Sequence, residues 1–137
     1  MNENRPRSTP RESRVIQYDD VVAFLIEACP SYEGSPERAG VDDCNGEYIR
    51  VTGFVKYLIR LLDEGSTDSF SSVFGVVESV LEGEDSAAID LIQAGFFEDL
   101  ADPGLYEDTR VQALDFAPWF GPRARRDPVI AAVLTER

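Results

Sequence analysis

The most constraining feature of this sequence is a helical pattern of apolar residues that occurs three times at a spacing of 19 residues. In each copy the pattern occupies positions i, i+3, i+4, i+7, i+10 and i+11, which form one face of an α-helix. Three consecutive segments of this kind predict three helices of three to four turns each. The first copy is Val51, Phe54, Val55, Leu58, Leu61 and Leu62; the second is Phe70, Val73, Phe74, Val77, Val80 and Leu81; the weaker third is Ile89, Ile92, Gln93, Phe96, Asp99 and Leu100.

Short acidic turns with a glycine connect these segments, LLDEG at 61–65 and VLEGE at 80–84. Asp68 and Asp85 precede the next apolar faces and are expected to be N-caps. Because helices joined by short turns pack as antiparallel neighbours, we predict an all-α fold, a compact bundle of about five to six antiparallel helices. Two helices occupy about 38 residues, near the period of HEAT-type pairs, so HEAT-like helical pairs are the alternative.

The third helix is apolar on more than one face. Ala88, Leu91 and Gly95 place apolar or small residues beside its main stripe. A helix of this kind is buried. We therefore expect it at the centre of the fold, with Gly95 allowing a neighbouring element to approach closely.

Other elements are predicted from shorter signals. A helix at 18–29 ends before Pro30, and the Gly, Pro, Ser and Asp content of residues 30–47 predicts a long loop. Further helices are expected at 105–117 and at about 127–135. Three aromatic residues are expected to close one end of the bundle: Phe116, Trp119 and Phe120.

The length and composition indicate one folded domain. The chain has 137 residues, of which 43% are hydrophobic, enough for a single core. Residues 1–14 contain four arginines and almost nothing apolar, which predicts a disordered basic arm of undetermined role, and residues 15–137 predict a single helical domain. Since no apolar signal-peptide region and no apolar run near 18 residues occurs, we expect a cytoplasmic protein without a membrane span.

The negative charge is concentrated in the middle of the chain. The net charge is −13, and residues 61–120 carry 1 basic and 14 acidic residues. A field of this sign repels nucleic acid and anionic membranes and accelerates encounters with cationic partners. We therefore expect a basic protein as the partner, with no nucleic acid and no membrane surface.

Little in the sequence indicates catalysis. There is no histidine, which removes the usual general base and the commonest metal ligand. Cys29 and Cys44 form no CxxC motif, and no glycine-rich phosphate loop is present. We therefore expect no enzyme activity, no cofactor and no metal. Whether the two cysteines approach each other, and the oligomeric state, are left open.

A set of carboxylates on the acidic helices is the predicted binding surface. Their mutual repulsion costs folding stability, and electrostatic capture of a basic protein is a physical use for that charge. The predicted partner-binding residues are Glu78, Glu82, Glu84, Asp85, Asp90, Glu98 and Asp99.

Four segments resemble a known family: YIRVTGFVKYLIRLL, VFGVVESVL, SAAIDLIQAGFFEDL and FAPWFGPRAR. The family comprises small, acidic, all-helical bacterial proteins described only as a domain of unknown function, similar to immunity proteins of polymorphic toxin systems. The resemblance covers about residues 18–126 and is most specific over 70–100. It implies an all-α fold and an interaction role, and it brings no catalytic residue.

The leading hypothesis is a non-enzymatic binding protein that neutralises a basic partner through an acidic helical face, such as an immunity protein against a bacterial toxin. The alternative is a helical adaptor or scaffold with an apolar, salt-insensitive binding surface. An enzyme that uses carboxylates alone is a third hypothesis, which a metal-dependent thermal shift would favour.

Overall fold

A computed structural model describes residues 16–41 and 46–135 of the chain. Every regular element in these two ranges is helical, so the predicted all-α fold is confirmed. The predicted basic arm at 1–14 and Cys44 lie outside the described residues. Cys29, in the described part, is buried and carries a free thiol.

The N-terminal part is more helical than its composition indicates. A 3₁₀ turn, Tyr18–Asp20, leads into α1, Val21–Ala28, close to the predicted helix at 18–29. The predicted loop that follows contains a second 3₁₀ helix, Pro30–Gly34, and a short α2, Pro36–Ala39. Both begin with proline, whose fixed φ suits the first helical position. A proline that indicates a loop in the sequence can therefore also begin a helix.

The two longest helices follow the predicted apolar pattern. Helix α3 spans Glu47–Glu64 and ends at Gly65, whose φ of 79° is a left-handed conformation that glycine adopts without strain. Helix α4 spans Phe70–Glu82. The N-cap prediction for Asp68 is wrong, because Ser69 holds that position and makes no side-chain capping hydrogen bond.

Residues 86–101 form one continuous helical rod with a change of winding in its middle. It consists of α5, Ser86–Asp90, a π-helical segment, Leu91–Phe97, and α6, Glu98–Ala101. Five of the seven residues of the π-helical segment are buried, and the segment packs against α3, α4 and the helix Pro128–Thr135. The expected central position of this helix is therefore confirmed.

The prediction of a single helix at 105–117 is wrong. Two 3₁₀ helices, Pro103–Tyr106 and Ala113–Trp119, replace it. The second begins at a capping box between Gln112 and Asp115, a local start signal that interrupts any longer helix. The chain then ends in α7, Pro122–Arg126, and α8, Pro128–Thr135, and the latter confirms the predicted short helix at about 127–135.

The aromatic residues Phe116, Trp119 and Phe120 pack against α4 in the core. The ring of Phe70 lies 4.9 Å from that of Trp119 and 5.5 Å from that of Phe116, measured between centroids. The ring of Phe74 lies 5.7 Å from that of Phe120. Such pairs add about 0.5–1.5 kcal/mol each beyond the area they bury, so this cluster fixes α4 against the 3₁₀ helix Ala113–Trp119 and the residue that follows it.

Candidate partner-binding surface

Glu78, one of the predicted contact residues, is held by the last part of the chain. Its two carboxylate oxygens accept hydrogen bonds from the backbone amides of Arg123, at 3.0 Å, and Ala124, at 2.9 Å. These amides lie in the first turn of α7, where helical N–H groups have no partner within their own helix. Glu78 therefore joins α4 to α7, and its side chain is largely covered.

Gly121 makes this contact possible. A Cβ at that position would lie 2.5 Å from the Cγ and Cδ atoms of Glu78. Its φ of −82° is accessible to any residue, so the requirement for glycine comes from the space that Glu78 occupies.

The acidic side of α4 also faces an arginine of the same chain. The guanidinium of Arg123 lies 3.9 Å from Glu78 Oε1 and 3.6 Å from Glu82 Oε2. Exposed ion pairs contribute little stability individually. The charge of Arg123 nevertheless reduces the repulsion between the carboxylates of Glu78 and Glu82. Glu82 stays 63% exposed and is available to another molecule.

Asp85 confirms its prediction as an N-cap. Its Oδ1 accepts hydrogen bonds from the amides of Ala87, at 3.0 Å, and Ala88, at 3.2 Å. Its Oδ2 accepts a third, from the amide of Tyr18 at 3.2 Å, so the same carboxylate holds the Tyr18–Asp20 turn against the start of α5. The turn brings two further exposed carboxylates to this place, Asp19 and Asp20.

We call this region the acidic corner and define it by five residues: Asp19, Asp20, Glu82, Glu84 and Asp85. Asp19 and Asp20 are more than 60 residues from the others in sequence, and sequence reasoning did not include them. The hydrogen bond between Tyr18 and Asp85 joins residues 67 apart, and no periodic signal marks it.

Asp90 and Asp99 face helix α3. The hydroxyl of Tyr48 donates a hydrogen bond to Asp90, and the hydroxyl of Thr52 donates one to Asp99 at 2.7 Å. Since both residue numbers increase together, α3 and the rod 86–101 run in the same direction along this contact. The hydrogen bond to Asp90 stabilises the neutral phenol and raises the pKa of Tyr48 to about 12.

The charge state of Asp99 depends on its surroundings. Partial burial raises the pKa of the Asp99 carboxyl above its ordinary value. The hydrogen bond from Thr52 lowers it, the nearby charges of Asp102 and Glu98 raise it, and Lys56 lowers it. Burial is the largest of these effects, so the Asp99 carboxyl ionises less readily in the folded protein than in the unfolded chain.

Glu84 and Glu98 differ from the other predicted residues. Both are exposed, and neither makes a side-chain hydrogen bond or ion pair with another residue in ranges 16–41 and 46–135. The seven predicted residues thus form two groups, according to whether the carboxylate is held by another part of the chain. Glu78, Asp85, Asp90 and Asp99 bind other parts of the chain, while Glu82, Glu84 and Glu98 point most of their charge to solvent.

Two properties of the described residues concern membranes and metal ions. Among the described residues, no helix is long and apolar enough to cross a membrane. The same residues contain no group of three or more cysteine or acidic side chains placed to hold a metal ion.

An acidic, all-α domain is the class that the sequence and the fold define. The chain matches the family described as a domain of unknown function, DUF7674, over residues 22–129, which is more than half of its length. It belongs to that family. No curated protein and no solved structure shows significant similarity to it.

Proposed function

We propose that this protein is a non-enzymatic binding protein that neutralises a basic partner protein through the acidic corner, with the exposed carboxylate Glu98 near the other end of rod 86–101 as a second point of contact. An immunity protein against a cytoplasmic bacterial toxin is the specific form of this proposal, and the cytoplasm is its proposed location. The partner's cationic active site would be covered by the acidic surface, as a nuclease inhibitor requires.

The observation that carries the proposal is the convergence of two distant segments at the acidic corner. The 3₁₀ turn that contains Asp19 and Asp20 packs on α5 and is hydrogen-bonded to Asp85, which follows the exposed Glu82 and Glu84 in the chain. Crowded like charges destabilise a fold, and here the neutralising contribution from the described chain is the long 3.6 Å contact between Arg123 and Glu82. A cationic partner would remove the remaining repulsion.

The hydrogen-bonded carboxylates support this arrangement in a second way. Asp85 fixes the geometry of the corner through three backbone amides. A surface that is already ordered loses less conformational entropy when it binds. Asp85 would therefore order the corner, and Glu82 and Glu84 would supply the charge that attracts the partner.

The first experiment is affinity capture from a lysate of the source organism at low and at high salt, with bound proteins identified by mass spectrometry. We expect one basic protein to be retained at low salt and weakened at high salt. Toxicity of that protein in a host, relieved by co-expression of the present chain, is the expected second result. Retention that is independent of salt, or capture without any basic protein, contradicts the proposal.

Association kinetics with the captured protein then locate the surface. The variant Glu82→Gln/Glu84→Gln should associate roughly three- to tenfold more slowly at low salt, with a flatter salt dependence. The matched control is Glu107→Gln/Asp108→Asn, which removes the same charge beyond the other end of rod 86–101, where both residues are exposed. Equal effects of the two variants would remove the corner from the proposal.

The adaptor hypothesis has one observation in its favour. Tyr48 and Ile49 in the first turn of α3 are large apolar side chains that are 38% and 46% exposed. If the main surface is apolar, Ile49→Ser should weaken binding at every salt concentration, while the acidic variants leave it unchanged.

A further inference from the structure

Tyr48 is an exposed aromatic residue with an unusually ordered setting. Its hydroxyl donates to Asp90, and its backbone carbonyl accepts a hydrogen bond from the Thr52 hydroxyl at 3.0 Å. The edge of its ring lies against Gly95, where an added Cβ would be 3.2 Å from Cδ2 of the ring. The ring is therefore positioned by contacts at its hydroxyl and along one edge, while 38% of the residue remains exposed.

The π-helical segment contributes to this setting. Gly95 lies within Leu91–Phe97, the part of the rod that packs on α3. Asp90 lies immediately before this segment and is exposed. The rod 86–101 thus offers both a glycine beside one edge of the ring and a carboxylate at its hydroxyl end.

The combination of an aromatic face and a carboxylate favours one kind of cation. A guanidinium group is planar, stacks on aromatic rings and forms directed hydrogen bonds to carboxylates, whereas a lysine ammonium is compact and strongly hydrated. Ile49, the next residue, is 46% exposed and adds apolar surface in the same turn for the aliphatic part of a long side chain. Asp90 uses one oxygen, Oδ2, for the tyrosine hydroxyl, which leaves Oδ1 for a ligand.

No cation of the described chain occupies this place. The described residues contain a cation–π contact between Arg60 and Tyr57, on another part of α3, and none over Tyr48. The Asp90 carboxylate acts on the Tyr48 hydroxyl through its hydrogen bond and its charge, and Tyr18 acts on the same group electrostatically. The local charge complements a cation and repels an acidic or phosphorylated ligand.

We propose that Tyr48 and Asp90 form a binding subsite for an arginine side chain of a basic protein partner, with Ile49 at its border. The subsite rests on the proposed function and gives the acidic surface a residue preference. General attraction to the acidic corner does not distinguish arginine from lysine, because it depends on charge, whereas the ring at Tyr48 does.

The test uses two probes of equal charge, tetra-arginine amide and tetra-lysine amide, titrated into the full chain at about 50 mM salt by calorimetry or fluorescence. We expect tetra-arginine to bind about two- to fivefold more tightly, in the range that exposed cation–π contacts provide. In Tyr48→Leu this preference should disappear, with tetra-lysine binding unchanged. Circular dichroism verifies that the variant folds.

A second variant separates the ring from its hydroxyl. Tyr48→Phe keeps the aromatic face and should retain most of the arginine preference. In the unsubstituted chain, arginine δ protons should shift upfield in the NMR spectrum on binding, because they lie over the ring, and the amide of Gly95 should shift as well.

The outcomes distinguish the two proposals. Equal binding of both peptides, or a preference that persists in Tyr48→Leu, overturns the arginine subsite while salt-dependent binding to the acidic surface still stands. If neither peptide binds, both proposals are contradicted. Loss of the preference in Tyr48→Leu, with its retention in Tyr48→Phe, supports the subsite.

Discussion

Glu78 reaches the backbone amide of Arg123 across 45 residues of sequence, and this hydrogen bond, at 3.0 Å, connects α4 to α7. Part of the acidic charge of this protein is therefore structural. The Glu78 carboxylate accepts hydrogen bonds from amides that have no acceptor within α7. It also lies beside the guanidinium group of Arg123. An acidic residue in such a position binds the chain first, so its presence alone does not identify a partner contact.

The substitution Gly121→Ala should destabilise the protein. Its new Cβ would meet Glu78 at 2.5 Å and displace the carboxylate from the amides of α7. We expect a loss of about 1–3 kcal/mol in the free energy of unfolding, measured with urea. Gly75→Ala is the control, because Gly75 lies in α4 with nothing within 4 Å of the added Cβ, and it should stabilise by about 0.5–1 kcal/mol. Equal effects of both changes would contradict the steric account.

The substitution Asp85→Ala should lower the free energy of unfolding by about 1 kcal/mol through loss of the N-cap of α5. It should also accelerate hydrogen exchange of the Tyr18 amide, which is bound to the same carboxylate. Asp85→Asn separates the two effects, since asparagine caps helices about as well as aspartate but its amide nitrogen cannot accept from the Tyr18 amide. If the Tyr18 amide exchanges at the same rate in Asp85→Ala, the link between this turn and α5 is not important for local stability.

Glu37 should stabilise the fold at neutral pH and lose this effect in acid. The hydrogen bond from Arg60, at 2.7 Å, holds the pKa of Glu37 below its ordinary value of 4.5. Because the folded-state pKa lies below the unfolded-state pKa, the contribution is present above pH 4.5 and disappears as the pH falls through the folded-state value. Glu37→Gln should therefore be less stable than the unsubstituted protein at pH 7, with the difference decreasing in acid.

The control for this pH series is Glu33→Gln. Glu33 pairs with Arg38 at 3.3 Å, but its side chain is 58% exposed, and exposed pairs contribute about 0–1 kcal/mol. A pH-independent difference in Glu37→Gln would show that the Arg60 contact does not act through ionisation.

Asp99 should have the opposite pH dependence. Burial raises its pKa, so the folded state favours the protonated carboxyl, and stability is lost as the pH rises from the unfolded-state pKa through the folded-state pKa. Asp99→Asn removes the buried charge and keeps an oxygen that accepts from the Thr52 hydroxyl. We expect this variant to gain stability relative to the unsubstituted protein at pH 7, with the gain absent at low pH, in urea unfolding at a series of pH values.

Local sequence patterns predict the helices well where the apolar pattern continues over several turns. The stripes of α3 and α4 follow it closely, with Val51, Phe54 and Val73 among their buried residues. The helix prediction at 105–117 is wrong. The capping box at Gln112 starts a separate 3₁₀ helix there, and this helix contains Pro118. Apolar spacing predicts which face is buried, whereas it does not predict how tightly the backbone winds.

By itself, the sequence determined the all-α class, the buried face of each long helix, the capping role of Asp85 and the excess of negative charge. Only the tertiary structure decided which carboxylates remain available. It directs Glu78 to α7 and Asp99 to α3, and it brings Asp19 to the turn after α4. The physical reason is range: apolar periodicity and capping act over a few residues, whereas the partner of a carboxylate is set by packing between helices that are distant in the chain.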